Sequence, residues 1–257
     1  MSTTVEEADG QPSLMREGLA GYRIAAGSYG ALNPQKRDYF FLDDVGHWNR
    51  YDTHGRTLYI AQERKGAFTE CLYSYRLGLE SRSAIQFIAE RFGLGFEAAR
   101  DLHAEEMSYL GHEEPGMMPA SWRDGRRLYR IESTNELTWL DLNTSHSLDY
   151  IEQAMGPEIH KTCGLMDLDL SQLLGSNRLL TTLVAGRLRD LQLVDGGFAD
   201  GIRFISKHGA GVCCAFWMRR TDDDLDNELL TSGTGVSITA DDPDLFDVSR
   251  RFGIKFG

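Results

Sequence analysis

Three side chains whose chemistry suits a nucleotide follow one another in the first third of the chain. Arg50 lies in a loop rich in Asn and Asp, Tyr59 stands near the end of an apolar run, and Glu70 follows within an Ala-Phe-Thr-Glu segment. A guanidinium can fork onto a pyrophosphate, and an aromatic ring can pack against a flat base. A carboxylate beside a sugar can stabilise developing positive charge. Cleavage of a bond between a ribose and its base requires these three parts.

Each of the three residues also has an ordinary structural explanation. Arg50 has the features of a solvated loop arginine, Tyr59 those of a core residue on an edge strand, and Glu70 those of a solvated helix residue. The residue types therefore do not define a site by themselves.

The elements that would position these side chains follow from local patterns. Aromatic or β-branched runs bounded by turn residues predict strands at residues 21–25, 39–42 and 57–61. From Lys65 the apolar positions recur at helical spacing, which predicts a helix that carries Glu70. Those positions are Ala67, Phe68, Cys71, Leu72 and Tyr75.

The rest of the chain alternates between helical and strand patterns, which predicts an α+β fold with mixed and antiparallel strands and flanking helices. Helices are predicted at 83–107 with a break near 93–95, at 147–155, at 179–191 and at 246–252, strands at 127–131 paired with 136–142 and at 201–206 and 211–218, and a loop at 113–119. Residues 1–18 are expected to form a flexible tail. Residues 19–257 are expected to form a single domain with a helical insertion at about 77–123.

Composition and charge limit the classes of partner that the protein is expected to bind. The formal net charge of -12 repels phosphate backbones and anionic lipid head groups, so we expect neither nucleic acid nor a membrane as partner. No run approaches the length of an apolar membrane span, and the polar N-terminus lacks a signal sequence, so a cytoplasmic location is expected. The four cysteines are scattered, and no ligand spacing typical of a metal site occurs.

The order of the blocks resembles the RES family, which is named for an arginine, a glutamate and a serine. The blocks are the Tyr22-Arg23 pair, the loop with Arg50, the strand with Tyr59, the helix with Glu70 and the segment DGIRFIS at 200–206. The resemblance covers residues 21–76 and 126–218. On this match the catalytic residues are Arg50, Glu70 and Ser206, and the substrate-binding residues are Tyr22, Arg23, Arg50, Tyr59 and Lys207.

Two departures from the family pattern affect the loop and the last strand. The family's loop arginine usually follows two glycines, whereas residues 47–49 read His-Trp-Asn. The family's serine is often followed by arginine, and Lys207 stands at that place. Family domains are also shorter, and the segment from Arg76 to Arg123 has the pattern of an inserted helical piece.

The resemblance implies an ADP-ribosyltransferase-like fold, with NAD bound in a cleft between two small sheets. It implies a toxin that degrades NAD as its substrate, without a metal, by hydrolysis or phosphorolysis of the nicotinamide–ribose bond, and a helix-turn-helix antitoxin as partner. Glu70 would stabilise the ribose cation, Arg23 and Arg50 would hold the pyrophosphate, Tyr59 would pack on nicotinamide, and Ser206 would position a ribose or amide group.

Other functions receive less support from the same sequence. A helix-turn-helix that reads DNA at 84–100 is disfavoured, because its second helix offers only Arg100 among four acids. A serine hydrolase using Ser206 and His208 lacks the G-x-S-x-G elbow, and a dehydrogenase would need a G-x-G-x-x-G turn. A mono-ADP-ribosyltransferase and a catalytically dead NAD-binding or interaction module stay open. The insertion is expected to contact a partner or a second copy in a homo-oligomer.

Overall fold

A computed structural model of the chain describes residues 5–38, 44–225 and 229–256. Its strands are β1 (Val5–Glu6), β2 (Leu14–Glu17), β3 (Ala20–Ala26), β4 (Lys36–Arg37), β5 (Gly55–Ala61), β6 (Met117–Met118), β7 (Arg126–Ser133), β8 (Leu137–Asp141), β9 (Gly201–Ile205), β10 (Val212–Trp217), β11 (Leu230–Ser232), β12 (Val236–Ser237) and β13 (Lys255–Phe256). Its helices are α1 (Arg64–Leu72), α2 (Leu79–Phe92), α3 (Phe96–Tyr109), α4 (Ala120–Asp124), α5 (Ser145–Cys163), α6 (Leu170–Leu173), α7 (Arg178–Arg189), α8 (Arg219–Asp222) and α9 (Pro243–Phe252), with 3-10 turns at Val45–His47 and Tyr73–Tyr75.

Eleven of the described strands form one curled mixed sheet in the order β1-β2-β8-β9-β10-β5-β3-β7-β11, with β12 on β7 and β4 on β5, whereas β6 and β13 pair in parallel as a separate two-stranded sheet. The β8–β9 pairing is parallel, and the other pairings in the larger sheet are antiparallel. Helices flank the sheet, so the predicted α+β class is confirmed. The resemblance implies two separate small sheets. The structure instead has a continuous sheet with one weak junction.

That junction lies between β3 and β5. The two strands share a single residue pair, Tyr22 with Ala61, whereas β3 pairs with β7 along its whole length from Ala20 to Ala26. Because the strands separate on either side of this pair, the side chains of β3 and β5 can border a cleft. The backbones approach closely at the junction: a Cβ on Gly21 would lie 2.6 Å from Ile60 Cγ2 and 2.7 Å from the Ala61 carbonyl oxygen.

The sheet buries apolar side chains on both faces, because successive residues of a strand point to opposite faces and both sets are apolar here. On β5, Leu58 and Ile60 join one buried cluster with Trp139 and Phe216, whereas Ala61 joins the other. The cluster that contains Ala61 lies under α5 and α7, whose inward residues recur at helical spacing. These are Ile151, Met155, Ile159, Leu180, Val184, Ala185 and Leu188.

The helix predicted to carry Glu70 is α1, and it is fixed against the sheet and against α9. Ala67, Phe68 and Leu72 are buried. On the other side, Arg64 donates to Asp242 Oδ1 at 3.1 Å, and Arg251 donates to Thr69 Oγ1 at 2.8 Å. Contacts with a distant part of the chain therefore hold α1 in place.

Most predicted elements are confirmed, including β3, β5, α7, β9, β10, α9 and the break between α2 and α3. Gly93 ends α2 with a φ of 64°, a conformation that glycine adopts at low cost. The helix predicted at 147–155 is longer, Ser145–Cys163, and the loop predicted at 113–119 contains the short strand β6. The strand predicted at 39–42 lies outside the described residues.

Two expectations are wrong. The flexible tail predicted for residues 1–18 contains β2, where Leu14 and Met15 are almost completely buried because they pair with β8 and cover the core. The strands predicted to pair at 127–131 and 136–142 do not pair with each other, since both edges of β7 are occupied, by β3 on one side and by β11 and β12 on the other. The division of 19–257 into a catalytic domain with an insertion stays a prediction.

In the described part of the chain, no helix combines the length and apolar character needed to cross a bilayer. Within the same residues, no group of three His, Cys, Asp or Glu side chains is placed to hold a metal ion.

The close approach at the β3–β5 junction yields a stability prediction. Gly21→Ala should lower the free energy of unfolding by about 2 kcal/mol, because the new methyl group meets the Ala61 carbonyl and forces the strands apart. Gly186→Ala serves as the control: Gly186 lies inside α7, where an added Cβ would meet no atom within 4 Å, so alanine should stabilise the protein by about 0.5–1 kcal/mol. Urea unfolding measures both; equal effects would contradict the tight junction.

Candidate functional site

A cavity of about 480 Å³ opens beside the β3–β5 junction. Its volume lies in the usual range for sites that take small molecules and cofactors. The titratable groups on its wall, apart from two thiols and the tyrosines, are Arg23, Arg50, Glu70, Arg178, Lys207 and His208, and its aromatic residues are Tyr22, Tyr59, Tyr73 and Phe204. Of the described residues that line the cavity, Glu70 is the only carboxylate.

Glu70 is held by a residue from another element. The Ser206 hydroxyl donates a hydrogen bond to Glu70 Oε1 and accepts one from the backbone N–H of His208 at 3.0 Å. Ser206 directly follows β9 and is buried, so it connects the end of that strand to α1. Within the described residues, Glu70 Oε2 has no hydrogen-bond partner. The carboxylate is thus fixed through one oxygen.

The loop that carries Arg50 is organised around the buried carboxylate of Asp52. Asp52 Oδ2 accepts from the Asn49 backbone N–H and from Arg37 Nε, both at 3.0 Å, and Asp52 Oδ1 accepts from the Tyr59 hydroxyl at 2.9 Å. The Tyr59 hydroxyl in turn accepts from the Tyr51 backbone N–H at 3.0 Å. The loop and β5 therefore share one hydrogen-bond network.

The same loop is tied to the segment between α6 and α7. Arg50 Nη1 donates to the Leu174 carbonyl at 2.7 Å, and the Tyr51 hydroxyl donates to the Leu173 carbonyl at 3.1 Å. The Arg50 guanidinium also lies 4.9 Å from the ring centroid of Phe204. Neutral partners thus fix Arg50 and leave its charge uncompensated.

Tyr59 has its ring on the cavity wall and its hydroxyl turned into the protein. Burial, and then the neighbouring Asp52, raise the pKa of Tyr59 well above its ordinary value, so the phenol is protonated at neutral pH. Because both hydrogen-bonding functions of the hydroxyl are used by Asp52 and Tyr51, the ring itself is what Tyr59 offers to a ligand.

Arg23 reaches the cavity from β3. Its Nη1 donates to the Tyr59 carbonyl at 3.2 Å, and its buried Nε has no partner among the described residues. Burial lowers the pKa of Arg23 from its ordinary value. An arginine pKa starts so high that the group stays charged.

Arg178 and Lys207 add two further cations. Burial, and then the nearby Arg50, lower the pKa of Arg178; burial, Arg50 and Arg178 lower that of Lys207. Lys207 Nζ donates to the neutral Ser176 hydroxyl at 2.7 Å. Across residues 5–38, 44–225 and 229–256, neither these two cations nor Arg23 and Arg50 form an ion pair with a carboxylate.

His208 completes this side of the cavity. Its ring lies 3.5 Å, centroid to centroid, from that of Tyr73. Burial and the cations Lys207, Arg50, Arg76 and Arg178 lower the pKa of His208 to about 4, so the imidazole is neutral at pH 7. Since the Ser206 hydroxyl donates to Glu70 and not to this imidazole, the arrangement is not that of a serine hydrolase.

Two thiols on the wall are poor nucleophiles. Burial raises the pKa of Cys71 to about 11, and burial together with Glu70 raises the pKa of Cys213 to about 12. Because the thiolate is the reactive form, neither group is activated at neutral pH.

Six of the seven sequence-predicted site residues line this cavity: Tyr22, Arg23, Arg50, Tyr59, Glu70 and Lys207. The seventh, Ser206, lies beside Glu70, and its hydroxyl donates a hydrogen bond to the Glu70 carboxylate. Sequence reasoning missed Arg178 as a site residue and Asp52 as the group that fixes Tyr59, and it considered His208 only as part of a serine hydrolase. The Asn177 cap before Arg178 was the one available signal, because it marks the start of a helix.

The structure also bears on the alternative of DNA binding by α2 and α3. Arg100, the cation of α3, is buried and donates through Nη2 to the Gly116 carbonyl at 3.1 Å. Its charge is therefore not presented to a phosphate backbone.

The hydrogen bonds of the Tyr59 hydroxyl predict a stability loss. Tyr59→Phe removes the donor to Asp52 and leaves the buried Tyr51 N–H without its acceptor, so the free energy of unfolding should fall by about 1–3 kcal/mol. Tyr109→Phe, at a side chain 91% exposed, is the control and should change little. Equal urea midpoints for the two variants would show that the network does not stabilise the loop.

The depressed pKa of His208 predicts how stability depends on pH. As the pH falls from 6.5 to about 4, the unfolded chain takes up a proton that folded His208 refuses, so stability declines on acidification. His208→Gln should make the decline of Tm over this range shallower, whereas the exposed-site control His112→Gln should leave it as in the wild type. An unchanged slope in His208→Gln would contradict the depressed pKa.

Comparisons with known proteins do not assign this chain to a family. No family model matches it, and no curated protein matches it. A chain in the crystal structure of the M. tuberculosis MbcT–MbcA toxin–antitoxin complex is similar at 12% identity and a TM-score of 0.41, with coverage of 93% of this chain and 91% of that chain. Similarity at this level supports no conclusion about fold or function.

Proposed function

We propose that this protein binds NAD in the cavity beside the β3–β5 junction and cleaves its nicotinamide–ribose bond. The observation that carries the proposal is the convergence of Glu70 with Arg23, Arg50 and Tyr59, from four separate elements, on one cavity. These are the parts that the sequence order led us to expect together, and the resemblance of that order to the RES family supports the same substrate.

The charge of the cavity suits a dinucleotide. Four cations without carboxylate partners face one carboxylate, in a protein whose net charge is -12. Pyrophosphate is the part of NAD that such cations bind, since a guanidinium presents two parallel N–H donors to phosphate oxygens. The negative charge of the pyrophosphate would compensate the excess positive charge of the cavity.

The aromatic residues suit the leaving group. The ring of Tyr59 is held rigidly because Asp52 and Tyr51 fix its hydroxyl, and Tyr22 lies on the neighbouring strand across the junction. A flat, cationic pyridinium packs favourably against such rings. We assign Tyr59, with Tyr22, to the nicotinamide side of the cavity.

Bond chemistry defines the task of Glu70. Nicotinamide leaves as a neutral base from a cationic pyridinium, taking the electron pair of the glycosidic bond, so no general acid is required. The ribose becomes an oxocarbenium-like cation, which the carboxylate of Glu70 stabilises. Ser206 holds one oxygen of that carboxylate and leaves Oε2 for the sugar. Ser206 is therefore a positioning residue in this mechanism, not one that contacts the substrate.

The group that accepts the ribosyl cation decides which of two reactions the enzyme catalyses. Water or phosphate as acceptor gives an NAD-depleting enzyme, and a protein side chain gives a mono-ADP-ribosyltransferase. We favour depletion, because no acceptor-binding loop is recognised in the sequence. NAD loss in the absence of any added protein distinguishes the two.

The biological setting is proposed from the family resemblance alone: a cytoplasmic toxin restrained by a helix-turn-helix antitoxin. A partner or a second copy would find exposed apolar residues on the α2–α3 hairpin, where Phe87, Phe92 and Tyr109 are 65–91% exposed.

Glu70→Gln tests the reaction directly. Replacing the carboxylate by a neutral amide of the same shape should slow nicotinamide release from NAD by about two to three orders of magnitude, since charge stabilisation by one well-placed group contributes about 3–4 kcal/mol. Chromatographic detection of free nicotinamide measures the rate.

The matched control is Glu63→Gln, which removes an exposed carboxylate just before the same helix and should leave the rate unchanged. No nicotinamide release by the wild type, or equal rates for the wild type and Glu70→Gln, would refute the proposed reaction.

A further inference from the structure

Arg178 is a half-buried cation on the cavity wall for which neither the sequence nor the family resemblance supplies a role. It is the first residue of α7, after the Asn177 cap, and its buried Nη1 has no hydrogen-bond partner among the described residues. A buried donor of a charged group costs free energy when it is unpaired, so a ligand oxygen that accepts from this Nη1 would recover that cost.

Arg178 belongs to a cluster of like charges. Arg50, Arg178 and Lys207 line the same cavity. Besides burial, Arg50 lowers the pKa of Arg178, and both arginines lower the pKa of Lys207. Two other arginines with mostly covered side chains are compensated: Arg189 pairs with Asp222 at 2.8 Å, and Arg37 pairs with Asp52 at 3.0 Å. The chain has 39 acidic residues against 27 Lys and Arg, yet none of the described carboxylates pairs with this cluster.

The partners that fix the cluster are neutral and come from one short segment. Residues 174–178 supply the Leu174 carbonyl to Arg50, the Ser176 hydroxyl to Lys207, and Arg178 itself. A carbonyl and a hydroxyl orient the two other cations without neutralising them. The segment therefore brings three positive charges together and holds them ready for an anion.

We propose that Arg178, together with Arg50 and Lys207, binds a phosphate-class oxyanion of the ligand, and that this oxyanion is the pyrophosphate of a dinucleotide. Three cations match the charge and the several oxygens of a pyrophosphate better than those of a single carboxylate. Its identification as part of a dinucleotide rests on the proposed function, whereas the anion subsite itself does not.

The first experiment measures binding of inorganic pyrophosphate by calorimetry, at low and moderate salt, to the wild type and to Arg178→Ala. We expect the variant to bind at least about tenfold more weakly, as the loss of a charge-assisted contact implies, and with a smaller salt dependence. Arg187→Ala is the matched control. It removes the same charge from the same helix at a 61% exposed side chain paired with Glu158, and it should bind like the wild type.

Arg178→Lys tests whether misfolding causes the loss of affinity in Arg178→Ala. Because lysine keeps the charge, this variant should recover part of the affinity. Equal affinities for Arg178→Ala and Arg187→Ala, or no pyrophosphate binding by the wild type, would overturn the subsite. Because pyrophosphate contains no nicotinamide, a wild type that binds it through Arg178 but releases no nicotinamide from NAD would disprove the proposed reaction and leave the subsite standing.

A second arm identifies the source of the oxyanion. ADP-ribose carries the same pyrophosphate within a nucleotide, so it should compete with inorganic pyrophosphate and lose affinity in Arg178→Ala. Simultaneous binding of the two, with ADP-ribose unaffected by the substitution, would show that the subsite takes a separate phosphate and would overturn the dinucleotide assignment.

Discussion

The single residue pair between Tyr22 and Ala61 is the constraint on which the rest of the site depends. It keeps the sheet continuous while the strands on either side diverge, and the divergence leaves room for a cavity between elements that remain rigid. The absence of a side chain at Gly21 permits that contact. A fully paired β3 and β5 would close the cleft, and two separate sheets would lose the shared wall that holds Arg23 and Tyr59 in one place.

Hydrogen bonds between distant segments then fix each functional side chain. Asp52 and the Tyr59 hydroxyl tie the Arg50 loop to β5, and Ser206 ties Glu70 to the end of β9. These contacts satisfy buried polar groups, yet they leave the cations without counter-charges. The protein thus accepts electrostatic repulsion at one place, which is typical of sites shaped for a ligand rather than for stability alone.

Local pattern was enough to predict much of this arrangement. Helical periodicity around Phe68 predicted that a helix carries Glu70, whereas the shared site of Arg50 and Tyr59 was what the resemblance to the RES family implied. Arg178 was missed because the predicted helix began one residue later and because its neighbours come from residues 50 and 207, which no local pattern relates to it. The burial of β2 and its pairing with β8 were missed for the same reason: strand pairing depends on which edges the rest of the sheet leaves open.

The most direct measurement is a crystal structure of the Glu70→Gln protein with NAD bound. We predict the nicotinamide ribose beside residue 70, the nicotinamide ring against Tyr59, and the pyrophosphate in contact with Arg50. NAD bound elsewhere on the protein, or in this cavity with its nicotinamide ribose far from residue 70, would contradict the central claim.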